Sequence, residues 1–154
     1  MALAGCRDKS KAQVVSANLS MTSYSKARLS SSLGAETTLE FPVLETFNGD
    51  GILIYRSHEL GKNADSLREV LAGIQNLQPL RQSPRLVDIL EAVPDFKQHE
   101  QEVLRRHKPV VVSVDLEGCG VCGAQAHLIN ESRERLLQQS IDVLEIHVFS
   151  PSHP

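Results

Sequence analysis

Two of the chain's three cysteines, Cys119 and Cys122, stand in the stretch Lys108 to Gly123, KPVVVSVDLEGCGVCG. The β-branched run Val110 to Val114 precedes them and a helix-like pattern follows, so a strand should deliver both thiols to the first turn of a helix. A helix N-terminus carries partial positive charge and unsatisfied N–H groups. Both stabilise a thiolate, which lowers a cysteine pKa from its free value of about 8.5. Cysteines at this spacing can also close a small disulfide ring. One site can then hold either a dithiol or a disulfide, as a redox couple requires.

Three other chemistries share these residues. Cys119 and Cys122 could form half of a zinc knuckle, with His127 and His147 as further ligands. However, the chain has no second Cys-x-x-Cys and no His pair at ligand spacing. Gly118, Gly120 and Gly123 spell G-x-G-x-x-G, with Glu145 near the distance of a ribose-binding acid. Asp115 and Glu117 precede that loop and would repel a pyrophosphate. A strand, a Cys-x-x-Cys helix and a further strand also occur in zinc-dependent nucleobase deaminases. Those need a His-x-Glu shuttle, whereas His58-Glu59 and His99-Glu100 have the wrong spacing, and Gly118 replaces the usual proline. Redox chemistry is the reading the pattern favours, and no cofactor is expected.

The surrounding elements read as follows. Gln13 to Leu19 suggests a short strand and Lys26 to Leu33 a weak helix. Phe41 to Phe47 and Ile52 to Tyr55 flank Asn48-Gly49, a hairpin signal. Asn63 is a candidate helix cap. Leu67, Val70, Leu71 and Ile74 form the apolar stripe of an amphipathic helix. Leu77 to Pro84 reads as a linker, Leu86 to Leu90 as a strand and Pro94 to Arg106 as a helix carrying Phe96 and Val103. The cysteine helix should run to about Gln138, before a last strand, Val143 to Phe149. Strands alternating with helices predict parallel pairing, and the hairpin adds antiparallel strands. The fold class expected is α/β, a mixed sheet with helices on both faces.

At 154 residues the chain has room for one ordinary core. Its 41% hydrophobic content suits a globular protein, and a formal net charge of −3 gives no electrostatic case for nucleic acid. No apolar run approaches the roughly 20 residues of a membrane span, and MALAGCRDKSK has no signal-peptide core. An odd cysteine count argues against a disulfide framework. A reducing, cytoplasmic setting is expected. Cys6, in a polar stretch, should be a free thiol without a catalytic role. His107 and His153 should be solvated.

These residues resemble the thioredoxin superfamily with its parts in exchanged order. Phe96 to Cys122 is similar to the front half: a helix, Lys-Pro, a valine strand, then CGVC in place of CGPC. Phe41 to Ile74 is similar to the back half: Pro42 where the family has a cis-proline, then a strand, an Asn-Gly hairpin, a second strand and an amphipathic helix. The two halves cover about two thirds of the chain. The organisation implied is a sparsely structured segment 1–38, a back half 39–76, a linker 77–84, a front half 85–149 and a tail 150–154. Either a circular permutation or two half-domains that dock would produce it.

The resemblance implies thiol–disulfide exchange on protein disulfides, with Cys119 as nucleophile and Cys122 as resolving thiol. Phe41, Pro42, Gly120 and Val121 would line the substrate groove. A reductase of the thioredoxin reductase type would supply electrons. The competing class is a scaffold or binding module that keeps the fold without turnover. Several positions depart from the family. Gly118 stands where an aromatic precedes the first cysteine. Ser113 stands where a buried acid lies, with Asp115 nearby. Ser16 or Glu145 replaces a lysine often close to that acid. The central strand also has two candidates, Val14 to Leu19 and Val143 to Phe149. The second is expected beside the cysteine strand, leaving the first loosely held or offering an edge for domain-swapped self-association.

Overall fold

A computed structural model describes residues 11–31, 40–73, 80 and 84–150. Their strands form one five-stranded mixed sheet: β1 (Val14–Ser20), β2 (Val43–Phe47), β3 (Leu53–Ser57), β4 (Val110–Leu116) and β5 (Asp142–Phe149), in the spatial order β1-β5-β4-β2-β3. β1, β5 and β4 run parallel; β2 is antiparallel to both β4 and β3. The valine run therefore sits at the centre of the sheet, and the hairpin forms one edge. Residues 41–57 and 110–149 share this sheet through the β2–β4 ladder, which pairs Val43 with Val114 and Phe47 with Val110.

The alternation of side chains along β4 explains why it reads as a continuous apolar run. Val110, Val112 and Val114 face one layer, where Tyr24, Leu86, Ile89, Leu90, Phe96 and Val103 pack. Those residues come from α1 (Met21–Ser31), α3 (Leu86–Ala92), α4 (Pro94–Lys97) and α5 (Glu100–Arg105). Val111 faces the other layer, against Leu67 and Val70 of α2 (Leu60–Leu71) and Ile129 and Leu136 of α6 (Cys122–Gln138). A strand covered on both faces has no polar side to show. Burying each valine stabilises the fold by about 1.5 kcal/mol.

Several expectations need correction. Leu86 to Leu90 is helical: Leu86, Ile89 and Leu90 recur at helical spacing and are buried, and Asp88 Oδ2 accepts the Arg85 N–H at 2.9 Å to cap the turn. The helix expected over Pro94 to Arg106 is split into α4 and α5 around Gln98 and His99. α1 begins at Met21, directly after β1, rather than at Lys26. Asn63 lies inside α2, fully buried, and the N-cap is Glu59. The hairpin turn runs Asn48–Ile52, closed by Asn48 N–H to Ile52 O at 2.9 Å, and Asn48 Oδ1 accepts the N–H groups of Asp50 and Ile52. The positive φ falls at Gly51, at 76°. Gly49 is needed for space, because a Cβ there would run into the His107 carbonyl.

Both candidates for the central strand are in the sheet. β5 lies beside β4, as expected. β1 is not loosely held: it pairs with β5 over seven residues, from Val14–Val143 to Ser20–Phe149. Its Val15 and Ala17 are buried in the α1–α3 layer. Ends are pinned as well: Gln13 N–H donates to Asp142 Oδ1 at 2.9 Å, and Val143 N–H to Gln13 O at 3.1 Å. Asp142 is in turn paired with the buried Arg106 guanidinium at 3.1 Å. Cys6, His153, Ile74 and the linker apart from Leu80 and Pro84 lie outside the described residues. Among the described residues, no helix is long and apolar enough to cross a membrane.

Candidate functional site

β4 ends at Leu116, and the chain turns through Glu117-Gly118 into the cysteines. Glu117 N–H donates to Val148 O at 2.9 Å, which ties the turn to β5, and Cys119 N–H returns to Leu116 O at 3.1 Å. Gly118 takes φ 81°, a left-handed conformation that a side chain would strain. Cys122 opens α6, whereas Cys119 lies in the turn before it, so only the second thiol is in the helix's first turn. The two are joined by a disulfide with Cα atoms 5.3 Å apart. Cys122 is buried, at 5% exposure; Cys119 is half-buried; Gly120 is exposed and Val121 is 55% exposed. The first turn of α6 carries no acidic residue, so no carboxylate there competes for the helix's positive end.

Beneath this turn, a buried amide network joins five elements, α6, β2, β4, α2 and β3. Gln125, one turn after Cys122, donates from Nε2 to Val43 O at 2.8 Å and to Ser113 Oγ at 3.0 Å. Its Oε1 accepts from Asn63 Nδ2 of α2 at 2.8 Å. Asn63 Oδ1 accepts from the Tyr55 hydroxyl of β3 at 2.6 Å. Burial raises the Tyr55 pKa above its ordinary 10.0, which keeps that hydroxyl a donor. The network fastens the cysteine helix to Val43, the residue after the Phe41–Pro42 peptide, which is cis. Pro42 is buried; Phe41 is half-buried and stacks at a tilt on Tyr24, with ring centroids 5.6 Å apart.

On the α6 side of the sheet, toward the carboxyl ends of β4 and β5, a second polar group gathers. His147 Nδ1 lies 2.8 Å from Asp115 Oδ2, and its Nε2 lies 3.6 Å from Glu145 Oε2. Glu145 also holds Arg133 at 2.9 Å and accepts the Ser16 hydroxyl at 3.1 Å. Ser16 and Glu145 are therefore partners of each other, and Glu145 is already engaged. The other histidines among the described residues are dispersed: His127 pairs with Glu131 on α6, His58 with Glu40, and His99 with Gln13. His107 is exposed at φ 49°. Among the described residues, no three His, Cys, Asp or Glu side chains are placed to hold a metal ion.

Gln125, Asn63 and Tyr55 escaped the sequence reading as a group. A signal existed: Cys122, Gln125, Ile129, Ser132 and Leu136 recur at alternating three- and four-residue steps and are all buried. Polar residues in a buried stripe must find partners. What they bond to is set by other elements and is not written along α6. Comparisons with protein-family models, with curated proteins and with solved structures give no match, so the site is characterised by its own geometry: a half-exposed and a buried cysteine, joined as a disulfide at the head of a helix.

Proposed function

We propose that the chain is a thioredoxin-like dithiol–disulfide exchanger, assembled from the family's two halves in exchanged order. The observation that carries this reading is the unequal exposure of the linked pair Cys119 and Cys122 at the head of α6. Supporting it is the place of the cysteine strand β4 at the centre of the sheet, between β2, which follows Phe41-Pro42, and β5. In the reduced form, the accessible Cys119 thiolate attacks one sulfur of a substrate disulfide. The substrate S–S bond breaks, one substrate thiolate leaves, and Cys119 is joined to the other half. Cys122, as thiolate, then attacks Cys119 Sγ and expels the second substrate thiolate. Two electrons pass to the substrate, and the protein is left with the Cys119–Cys122 disulfide. A dithiol donor of the reductase type resets it. Protein disulfides are the substrate class, because exposed Val121 and the Phe41–Pro42 segment suit an extended polypeptide.

One observation favours a second reading, a binding module on the same framework. Ser113, which accepts from Gln125, occupies the position where the family buries an acid that assists the second cysteine. An insulin-reduction assay separates the two. Turnover by the wild type that is abolished in Cys119→Ser supports exchange. Turnover unaffected by that substitution refutes the mechanism, and no turnover in the wild type favours the binding module.

A further inference from the structure

The sheet has two edges, and the chain guards one of them. At the β3 edge, Leu80 N–H bonds to Leu53 O at 3.1 Å, Leu86 N–H bonds to Gly51 O at 2.9 Å, and Ile52 bridges to Arg85. β3 itself is five residues long and carries Arg56. β1 is the other edge, and among the described residues no strand pairs with its outer side. Its seven residues, VVSANLS, contain no charge and no proline, two devices that blunt an edge. The bond from Val143 N–H to Gln13 O sets which backbone groups face outward. Gln13, Val15, Ala17 and Leu19 turn theirs toward β5; Val14, Ser16, Asn18 and Ser20 turn theirs away from it.

β1 also matches itself when reversed. Val15, Ala17 and Leu19 face the layer of α1 and α3, whereas Ser16 and Asn18 are exposed on the other face. Read backwards about Ala17, this apolar–polar alternation is unchanged. From this self-match we infer that two copies of the chain associate through their β1 edges, antiparallel about a twofold axis at Ala17, without exchanging any element. Ser16 then stands opposite the second copy's Asn18, and Val14 opposite its Ser20. Both are pairs whose backbone groups face outward, so they exchange hydrogen bonds. Ala17 meets its own counterpart in a non-hydrogen-bonded pair, the closest approach of an antiparallel ladder at about 4.5 Å between Cα atoms, and its small side chain suits that place. Charge also favours a second copy as the occupant. Gln13 Nε2 donates to Glu102 Oε2 at 3.3 Å, so the acidic first turn of α5, with Glu100 and Glu102, flanks the start of β1. α1 follows the end of β1, contains no Asp or Glu, and exposes Lys26. The twofold axis sets the acidic end of each copy beside the basic end of the other. Of the other charges near the start of β1, Asp95 and Lys97 offset each other on α4, Arg105 lies in the last turn of α5, and Lys11 lines the α6 side with Arg133. Because β4 and β5 run parallel to β1, the two cysteine turns lie at opposite ends of the joined sheet. Neither is covered, so this inference stands apart from the exchange reading.

A contact confined to one strand edge falls short of the roughly 1,200 Å² of a stable interface, so the dimer should be weak and concentration-dependent. Sedimentation equilibrium of the full chain, in excess dithiothreitol so that no intermolecular disulfide contributes, should show a monomer–dimer equilibrium with Kd below about 1 mM. Amide hydrogen exchange read by NMR locates the contact. Ser16 and Asn18 N–H should gain protection as concentration rises through the transition, while Val15 and Ala17, bonded to β5, are protected throughout. Asn18→Pro removes only an outward-facing donor, and Asn18→Lys brings like charges to the axis. Each should keep the wild-type circular dichroism and weaken the dimer by on the order of tenfold in Kd. A monomer at every concentration overturns the inference. So does a dimer that Asn18→Lys leaves at wild-type strength, because the contact then lies elsewhere. Protection of Ser16 and Asn18 in the dilute monomer also overturns it, because the chain then covers its own edge.

Discussion

Replacing Gln125 with Leu tests whether the amide network holds the cysteine helix in place. The substitution keeps the volume of the side chain but removes three hydrogen bonds, to Val43 O, Ser113 Oγ and Asn63 Nδ2. At about 1 kcal/mol each, these losses come to about 3 kcal/mol. The Asn63 amide, fully buried and left without its acceptor, adds about 1 kcal/mol. The extra apolar burial of leucine returns about 1 kcal/mol. The expected net cost is about 3 kcal/mol, a drop in Tm of roughly 6–12 °C for a chain of this size. Urea titration at constant m-value gives the free energy, and calorimetry gives Tm. Adding Asn63→Leu and Tyr55→Phe removes the orphaned partners, so the triple variant should recover part of the loss. A cost below about 1 kcal/mol for Gln125→Leu, or a triple variant that is worse than additive, would refute the argument.

Two further predictions concern the end of the sheet where β1 is anchored. Burial raises the Asp142 pKa above 3.8, and the Gln13 N–H and Arg106 offset this only in part. A raised folded value means that this residue's contribution to stability is complete below about 3.8 and is lost as pH rises through the folded value. Asp142→Asn offers a single oxygen to two donors that reach separate oxygens, Gln13 N–H at Oδ1 and Arg106 Nε at Oδ2, and it leaves the buried guanidinium without its counter-charge, so the variant should be less stable than wild type at pH 7 by about 3 kcal/mol; an unchanged urea midpoint at pH 7 contradicts this. Deleting residues 1–20 removes β1, exposes the β5 edge and uncovers the layer containing Val15 and Ala17, so the melting temperature should fall sharply; a monomer with unchanged melting would show that β1 contributes nothing.

Elements whose burial pattern is local can be read directly along the chain. The valine run could only be a strand covered on both faces. Leu67, Val70 and Leu71 marked a helix with one apolar stripe, Asn48-Gly49 marked a hairpin, and the two cysteines marked the join of strand and helix. Periodicity records which faces are buried, so these features were legible without knowing what covers them. LVDIL, residues 86–90, satisfies both a strand run and a helical stripe, and only its packing beneath the sheet with Asp88 as cap made it helical. VVSANLS and VLEIHVF are equivalent as strands, and pairing chose between them: β5 gained β4 on one side and β1 on the other, so both were satisfied. Gln125 and Asn63 met only once α2 and α6 packed side by side on one face. Which polar group finds which partner is a long-range choice. It is made by strand order and layer packing, quantities that no window along the chain contains.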